Sequence, residues 1–491
     1  MAKQIDSLGE IGSDLCDNLG FNPTSNSTKP LYVANALFRA CTGIECAVED
    51  IHEWVLSEHK SKATSSAELL GKYDDIIYTS GMDVVEDLKE ARYFLEKVFN
   101  PDSTVHPSTH HSVMNISSKW LVRSYLPEEA KIGDFIHNIL CTPLDGKSSQ
   151  AIRVIESALL DDDDDLTRII KPLIVRKPEA ERIKKKEPEH EDIVWNETTL
   201  AIRHGFDRLA QNCEAYSRTN GRNSLLVLRR MVTYAIFATF YYLEDINRVS
   251  FGGERTPLLL DANQRLGAIE RASELCFIAC KKSVENYTVS FIYNWLKDAD
   301  VIENINSQTS CESYIKAGFV VEEKVRTDVL QHINAHCKSG NPPLLATAKA
   351  LQFALYTHKY KNTTPSDFCT VLGGKSGFVG PNGNAAKYKR FLINSFLLET
   401  IVLSVVDTDD LLDGIQLRDL GNALREAYGI LIGSDSHTDY ATLDRCGIAG
   451  TTPEDLRGEL SENSRAIADM LISLGLAKRY ADGVTLIGWG L

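Results

Sequence analysis

Three clusters of cationic residues are of the kind that hold phosphate or carboxylate. The first lies in LGGKSGFVGPNGNAAKYKR, from Leu372 to Arg390, a stretch with five glycines, one proline and no acidic residue. Lys375, Lys387, Lys389 and Arg390 are unopposed within it, its glycines would let backbone N–H groups approach a phosphate, and Phe378 and Tyr388 offer faces on which a base would stack. It is not a Walker A loop, because GGKS has the Lys-Ser pair while Cys369 stands where the first glycine belongs. The competing reading is a surface loop before a helix. The second cluster is Arg203, Arg208, Arg218, Arg222, Arg229 and Arg230, arginine without lysine, facing only Asp207 and Glu214 in the same stretch. Arginine pairs bidentately with phosphate or carboxylate, so this is either a nucleic-acid groove, with Arg218 and Arg222 as its contacts, or an internal ion-pair network. The third cluster is Arg465, Lys478 and Arg479 near the C-terminus, offset by Glu462, Asp469 and Asp482.

Metal and nuclease chemistry have weaker signals. Asp328, His332 and His336 step by four along a predicted helix and share a face, but no fourth zinc ligand is identifiable, and a solvent-facing polar stripe is the better account of them. Cys41, Cys46, His52 and His59 fit no finger spacing, and His106, His110 and His111 sit in a loop-like stretch. Glu322 and Lys324 in VVEEK have the ExK spacing that, with Asp300, would hold a divalent cation, yet the surrounding sequence continues as a helix where adjacent strands are needed. No catalytic residue, metal site or cofactor is therefore assigned.

The net charge of −15 over 491 residues excludes a protein that coats duplex DNA through bulk electrostatics, so any nucleic-acid contact must be local. Eleven scattered cysteines without a repeated CxxC, and an N-terminus with no apolar signal region, are expected of reduced thiols in a cytoplasmic protein. The composition, 43% hydrophobic and 25% charged, is that of an ordinary globular chain.

Helices must position these groups. RRMVTYAIFATFYYL, from Arg229 to Leu243, is apolar on every helical face and predicts a buried central helix; it is too short and too closely followed by Glu244 and Asp245 to span a membrane. Helical periodicity also covers Pro30 to His59, Met82 to Phe99, Pro127 to Leu140 and Ser148 to Leu160. Asp161 to Asp165 and Arg176 to Asp192 are charge blocks with prolines, read as an exposed linker in which Lys184, Lys185 and Lys186 are solvated. The expected division is an N-terminal helical domain (1–160), a charged linker (161–193), a central helical domain (194–343) and a C-terminal domain (344–491).

In that last part a helix from Phe391 to Val406, one from Leu417 to Tyr428, one from about Glu462 to Leu474, and a hairpin turning at Asp482-Gly483 succeed one another. This order resembles the winged-helix superfamily, over roughly the last 100 residues only. The resemblance implies that Asn463, Ser464 and Arg465 lie on a recognition helix and Lys478 and Arg479 on a wing, with Gly429 to Leu460 as an acidic insertion. The expected fold class is mainly α, multi-domain helical bundles with a C-terminal winged-helix-like domain carrying a short β-hairpin. The expected function is a non-catalytic nucleic-acid-associated subunit or adaptor of a multi-protein assembly, with protein partners, DNA or RNA through local cationic patches, and no membrane. A prokaryotic DNA-processing or anti-phage defence complex is a setting that suits such a scaffold. The alternatives are a metal-dependent nuclease and a purely protein-binding scaffold.

Overall fold

The structure, a computed structural model, describes residues 6–24, 29–46, 68, 89–90, 93, 118–125, 129, 131–163, 167–168, 183–221, 223–298, 302, 304, 306–360, 364–381, 387–451, 455–481 and 483–489. Most of the expected Met82 to Phe99 helix lies outside the described residues, as do His52, His59, His106, His110, His111, Arg222, Asp300 and Asp482.

The described part is mainly helical. Helix α1 (Ser7–Leu19) is capped by the Asp6 side chain, and α2 (Pro30–Thr42) begins on its proline and stops where Gly43 adopts φ 66. The helix expected from Pro30 thus ends well before His59. Strand β1 (Ile44–Cys46) follows, then α3 (Ile132–Cys141) and α4 (Gln150–Leu159). Strand β2 (Ile183–Lys185) pairs antiparallel with β1, which places Glu45 opposite Lys184 and 3.5 Å from Lys186. The lysine triplet is exposed, as expected, but it lies along a paired strand where, among the described residues, Lys186 alone meets an acidic partner. Residues 191–195 are likewise laid along α3, since Glu191 N–H donates to Asn138, Ile193 N–H to Thr142 and the Trp195 indole to the Pro143 carbonyl.

Helices α5 (Glu197–Asn220), α6 (Ser224–Phe251) and α7 (Gly267–Asp298) form the centre, with β3 (Leu258–Leu259) between the last two. After them come α8 (Gln308–Ala317), α9 (Glu323–Lys338) and α10 (Pro343–Ala354), the last running into a π-helical turn at Leu355–Lys359. Helix α11 (Pro365–Ser376) and the hairpin β4 (Val379–Gly380) and β5 (Arg390–Phe391) lead into the C-terminal elements.

Helix α6 organises the molecule. Every residue from Arg230 to Ile246 is buried, so the predicted central helix is found and extends past both expected ends. Among the described residues it is the one helix long and apolar enough to cross a membrane, and 83% of its most apolar stretch is inside the protein. Helices α2, α3 and α4 pack on it from the N-terminal side, α5 and α7 flank it, and α11 packs on it from the C-terminal side. One apolar core results, running from Leu8 to Ile487. Buried residues from the expected N-terminal, central and C-terminal parts all belong to this core. The physical reason is that no face of α6 is polar, so elements must cover it all round, and the chain draws them from its whole length.

Buried polar groups tie the same regions together. Asn212 on α5 donates to the carbonyls of Leu403 and Val406 at 2.8 and 2.9 Å. Tyr234 on α6 shares a 2.7 Å hydrogen bond with Tyr428, whose hydroxyl also meets Ser404 at 3.0 Å. Gly205 on α5 makes room for this network, because a Cβ there would stand 1.8 Å from the Tyr234 hydroxyl.

Candidate nucleic-acid interface

The C-terminal elements are α12 (Ser395–Val405), α13 (Thr408–Asp413), β6 (Ile415–Gln416), α14 (Leu417–Tyr428), β7 (Ile430–Leu431), α15 (Ser436–Arg445), α16 (Leu456–Ser473), β8 (Ala477–Arg479) and β9 (Thr485–Ile487). Helix α14 has the predicted bounds. Leu420, Leu424 and Tyr428 recur every four residues and are buried, and Gly429 at φ 71 ends it. Strands β8 and β9 form the predicted hairpin. Tyr480 N–H donates to the Val484 carbonyl and Gly483 takes φ 85, while Asp482 lies outside the described residues. The strand before α14, β6, closes on β9, so the three-stranded order is β6-β9-β8.

Where β6, α14, α16 and the hairpin meet, a cleft of about 420 Å³ is lined by Gln416, Arg418, Arg465, Arg479 and Thr485. Arg418 comes from the first turn of α14, Arg465 from the middle of α16 and Arg479 from β8. Arg418 lies 2.9 Å from Asp435, and Arg479 lies 2.8 Å from Asp469. Arg465 is exposed, with neither ion pair nor hydrogen bond among the described residues. Lys478 points its ammonium over the Tyr480 ring at 5.3 Å. Four cations therefore stand against Asp435, Asp469 and the exposed Glu462 one turn before Arg465, a small local excess of positive charge on an acidic molecule.

The structure thus brings Arg465 and Arg479 together, with Lys478 adjoining, and adds Arg418, Gln416 and Thr485. Gln416 and Thr485 lie on strands of two and three residues and Arg418 just after the first of them, and strands this short have no periodicity to announce them. Asn463 and Ser464 are not free to meet a base, contrary to the expected recognition face. Asn463 is fully buried, its amide donating to Leu260 and its oxygen accepting the Ala262 N–H, both at 2.8 Å. Helix α16 also starts six residues before the expected Glu462, and its buried face carries Leu456, Leu460, Ile467 and Leu471.

The glycine-rich stretch is arranged differently from the expected phosphate loop. GGKS is the last turn of α11, so Lys375 is helical. A Cβ on Gly373 would stand 2.5 Å from Val379, so this glycine permits close packing and does not cradle an anion. Phe378 is fully buried against Phe237, Phe240 and Phe391, which removes it as a stacking platform. Arg390 is not unopposed: its guanidinium lies 2.5 Å from the buried Asp261 and 2.7 Å from Glu270. Lys387 and Tyr388 are exposed, while Lys389 is half-buried and donates to the Pro381 carbonyl. None of the four cations lines the cleft.

The arginine-rich segment is mostly internal. Arg203 is buried, donating to the carbonyls of Ile139, Leu140, Thr142 and Lys147 and pairing with Asp207 at 2.8 Å, so it closes the C-terminal end of α3. Arg230 pairs with Glu399, Arg208 with Asp407 at 2.5 Å, and Arg229 covers the Phe396 ring. Arg218 is exposed, 4.0 Å from Glu214, beside a separate cavity of about 290 Å³.

For metals, Asp328 meets His358 at 3.2 Å and His332 stacks on Phe353, and no three ligating side chains converge among the described residues. Glu322 is the residue capping α9, in a helical setting. No family model matches the chain, and no curated protein matches it.

Proposed function

We propose that the chain is a non-catalytic, nucleic-acid-associated subunit whose C-terminal unit is a winged-helix module, seating an anionic backbone in the cleft of Arg418, Arg465 and Arg479. The observation that supports this most is the connectivity: helix α12, strand β6, helices α14 and α16, then strands β8 and β9 in the order β6-β9-β8. The strand between the first two helices locks the terminal hairpin against them, as a wing requires, and α15 is an ordered addition between the second and third helices. Guanidinium forks suit phosphate because they pair bidentately.

With about three phosphate contacts, affinity should fall roughly 40-fold between 50 and 200 mM salt on duplex DNA. Fluorescence anisotropy on duplex DNA, single-stranded DNA and RNA tests this. Replacing Arg418, Arg465 and Arg479 together with alanine should abolish most binding and flatten the salt slope by about 2 to 3. Unchanged binding by that variant rejects the cleft. The existing pairs to Asp435 and Asp469, with exposed Tyr480 and Val484 on the hairpin, favour a second reading as a protein-docking wing. No affinity for any nucleic acid at low salt would select it.

A further inference from the structure

A second cavity, of about 300 Å³, lies at the far end of α14 from the arginine cleft. Its floor is apolar, made by Pro257 and Leu431, both buried. Three guanidinium groups surround it: Arg255 from the irregular segment leading into β3, Arg425 from α14 and Arg445 from the last turn of α15. They differ in how far they are already neutralised. Arg425 donates twice to Asp439, at 2.7 and 3.0 Å, and Asp439 also accepts the Gly433 N–H, so that pair is a closed structural unit. Arg255 donates only to the backbone carbonyl of Glu426, at 3.1 Å, and Arg445 is exposed with no ion pair among the described residues. Glu254 is the single acidic side chain in the lining. The balance is one positive charge beside a concave apolar surface, with the Thr442 hydroxyl and the half-buried Cys446 thiol on the α15 side.

Arg255 and Arg445 are open to solvent and form no ion pair among the described residues, so the guanidinium groups can take an external anion without first giving up a carboxylate, while the wall beside them takes an apolar group. A ligand with one anionic head and one apolar ring meets both demands. We propose that this cavity is a binding site for a small organic monoanion, an aromatic carboxylate or phosphate monoester, with the anion on Arg255 and Arg445 and the ring over Pro257 and Leu431. The site also gives the α15 addition a role, because Thr442, Arg445 and Cys446 all come from it or its end. It does not depend on the winged-helix reading.

Cys446 is a built-in reporter. Burial raises its thiol above the usual cysteine range, Glu254 adds to this and Arg445 opposes it. The full chain is alkylated with iodoacetamide and the modified peptides are quantified by mass spectrometry, with benzoate, phenyl phosphate, inorganic phosphate or benzyl alcohol as probe. Each variant is normalised to its own probe-free rate. Benzoate or phenyl phosphate should slow alkylation of Cys446 and leave Cys337 unaffected, the stronger of the two identifying the head group. Arg445→Ala should raise the probe concentration needed by about tenfold, and Arg255→Ala with Arg445→Ala should remove the protection. The double variant should keep wild-type nucleic-acid binding, because neither residue lines the arginine cleft. Equal protection by benzyl alcohol would show a merely apolar cavity and overturn the proposal. So would equal protection by inorganic phosphate, or none by either organic anion.

Discussion

Replacing Arg390 with methionine should destabilise the protein by about 3 to 5 kcal/mol, because it strands a buried carboxylate. The Arg390 side chain is 11% exposed and that of Asp261 is 0% exposed, so Asp261 has little water to fall back on once the guanidinium is gone. Glu270, 38% exposed, contributes no more than about 1 kcal/mol because solvent screens it. Methionine retains most of the apolar stem, so the loss is electrostatic and not a cavity. With an unfolding entropy of about 2.1 cal/mol/K per residue, 491 residues give roughly 1 kcal/mol/K, and the melting temperature should fall by about 3 to 5 °C. Asp261→Asn in the Arg390→Met background should recover about half, since asparagine removes the stranded charge and its oxygen can still accept the Asn263 N–H, which now bonds to Asp261 at 2.7 Å. Lys387→Ala with Lys389→Ala is the control and should shift the midpoint by less than about 1 °C. Differential scanning calorimetry distinguishes these cases. An Arg390→Met variant no less stable than that control, or one that Asp261→Asn fails to rescue, would refute the ion-pair argument. A variant lacking all four cations of this stretch would report on the same buried junction before it reported on any ligand.

Two further substitutions probe the core. Glu244 is buried on α6, neither carboxyl oxygen has a hydrogen-bond partner among the described residues, and burial, reinforced by Asp245, raises its pKa well above the usual glutamate value. The folded state therefore holds this proton more tightly than the unfolded state: the contribution is full below the ordinary value of 4.5 and is lost as pH rises through the window above it. Glu244→Gln should gain on the wild type by up to about 1.4 kcal/mol per pH unit across that window, read as urea midpoints at several pH values; parallel curves would show that Glu244 is solvated or paired. Gly205→Ala should destabilise by about 2 to 4 kcal/mol through the clash with Tyr234 and the loss of its bond to Tyr428, although alanine is the better helix former by about 1 kcal/mol. An unchanged or higher urea midpoint would mean that the tyrosines move aside at no cost.

Periodicity made the helical fabric readable. Helix α6 was legible as a run apolar on every helical face, α14 from apolar residues that recur at helical spacing, and the terminal hairpin from Asp482-Gly483 between short apolar-containing segments. The same signal is silent on what a polar residue on a buried face meets. Asn463 looked available because it sits near the start of a predicted helix, and its partners, Leu260 and Ala262, lie about 200 residues earlier. Arg390 looked unopposed because Asp261 is distant in sequence, and charge counting within a window finds only local partners. Gly373 and Gly377 read as loop because glycine marks both loops and close packing. Of the candidate cleft, Arg465, Lys478 and Arg479 came from the helix-and-hairpin pattern, whereas Arg418 needed the pairing of β6 with β9.

Strand β3 runs parallel to β7, and one step further on Asp261 bridges Leu392, so the short segment 258–262 is flanked on both sides by chain from beyond residue 390. During synthesis this segment leaves the ribosome well before either neighbour exists. Helix α7 follows soon enough to pack on it, but the segment's strand-pairing backbone groups stay hydrated until residues 390–432 have followed, and Asn463 closes a further side later still. The middle of the chain is therefore a template that waits for the end. A translation product truncated before residue 430 would leave the edge of Leu258–Leu259 that faces β7 unpaired, a feature that invites non-native association.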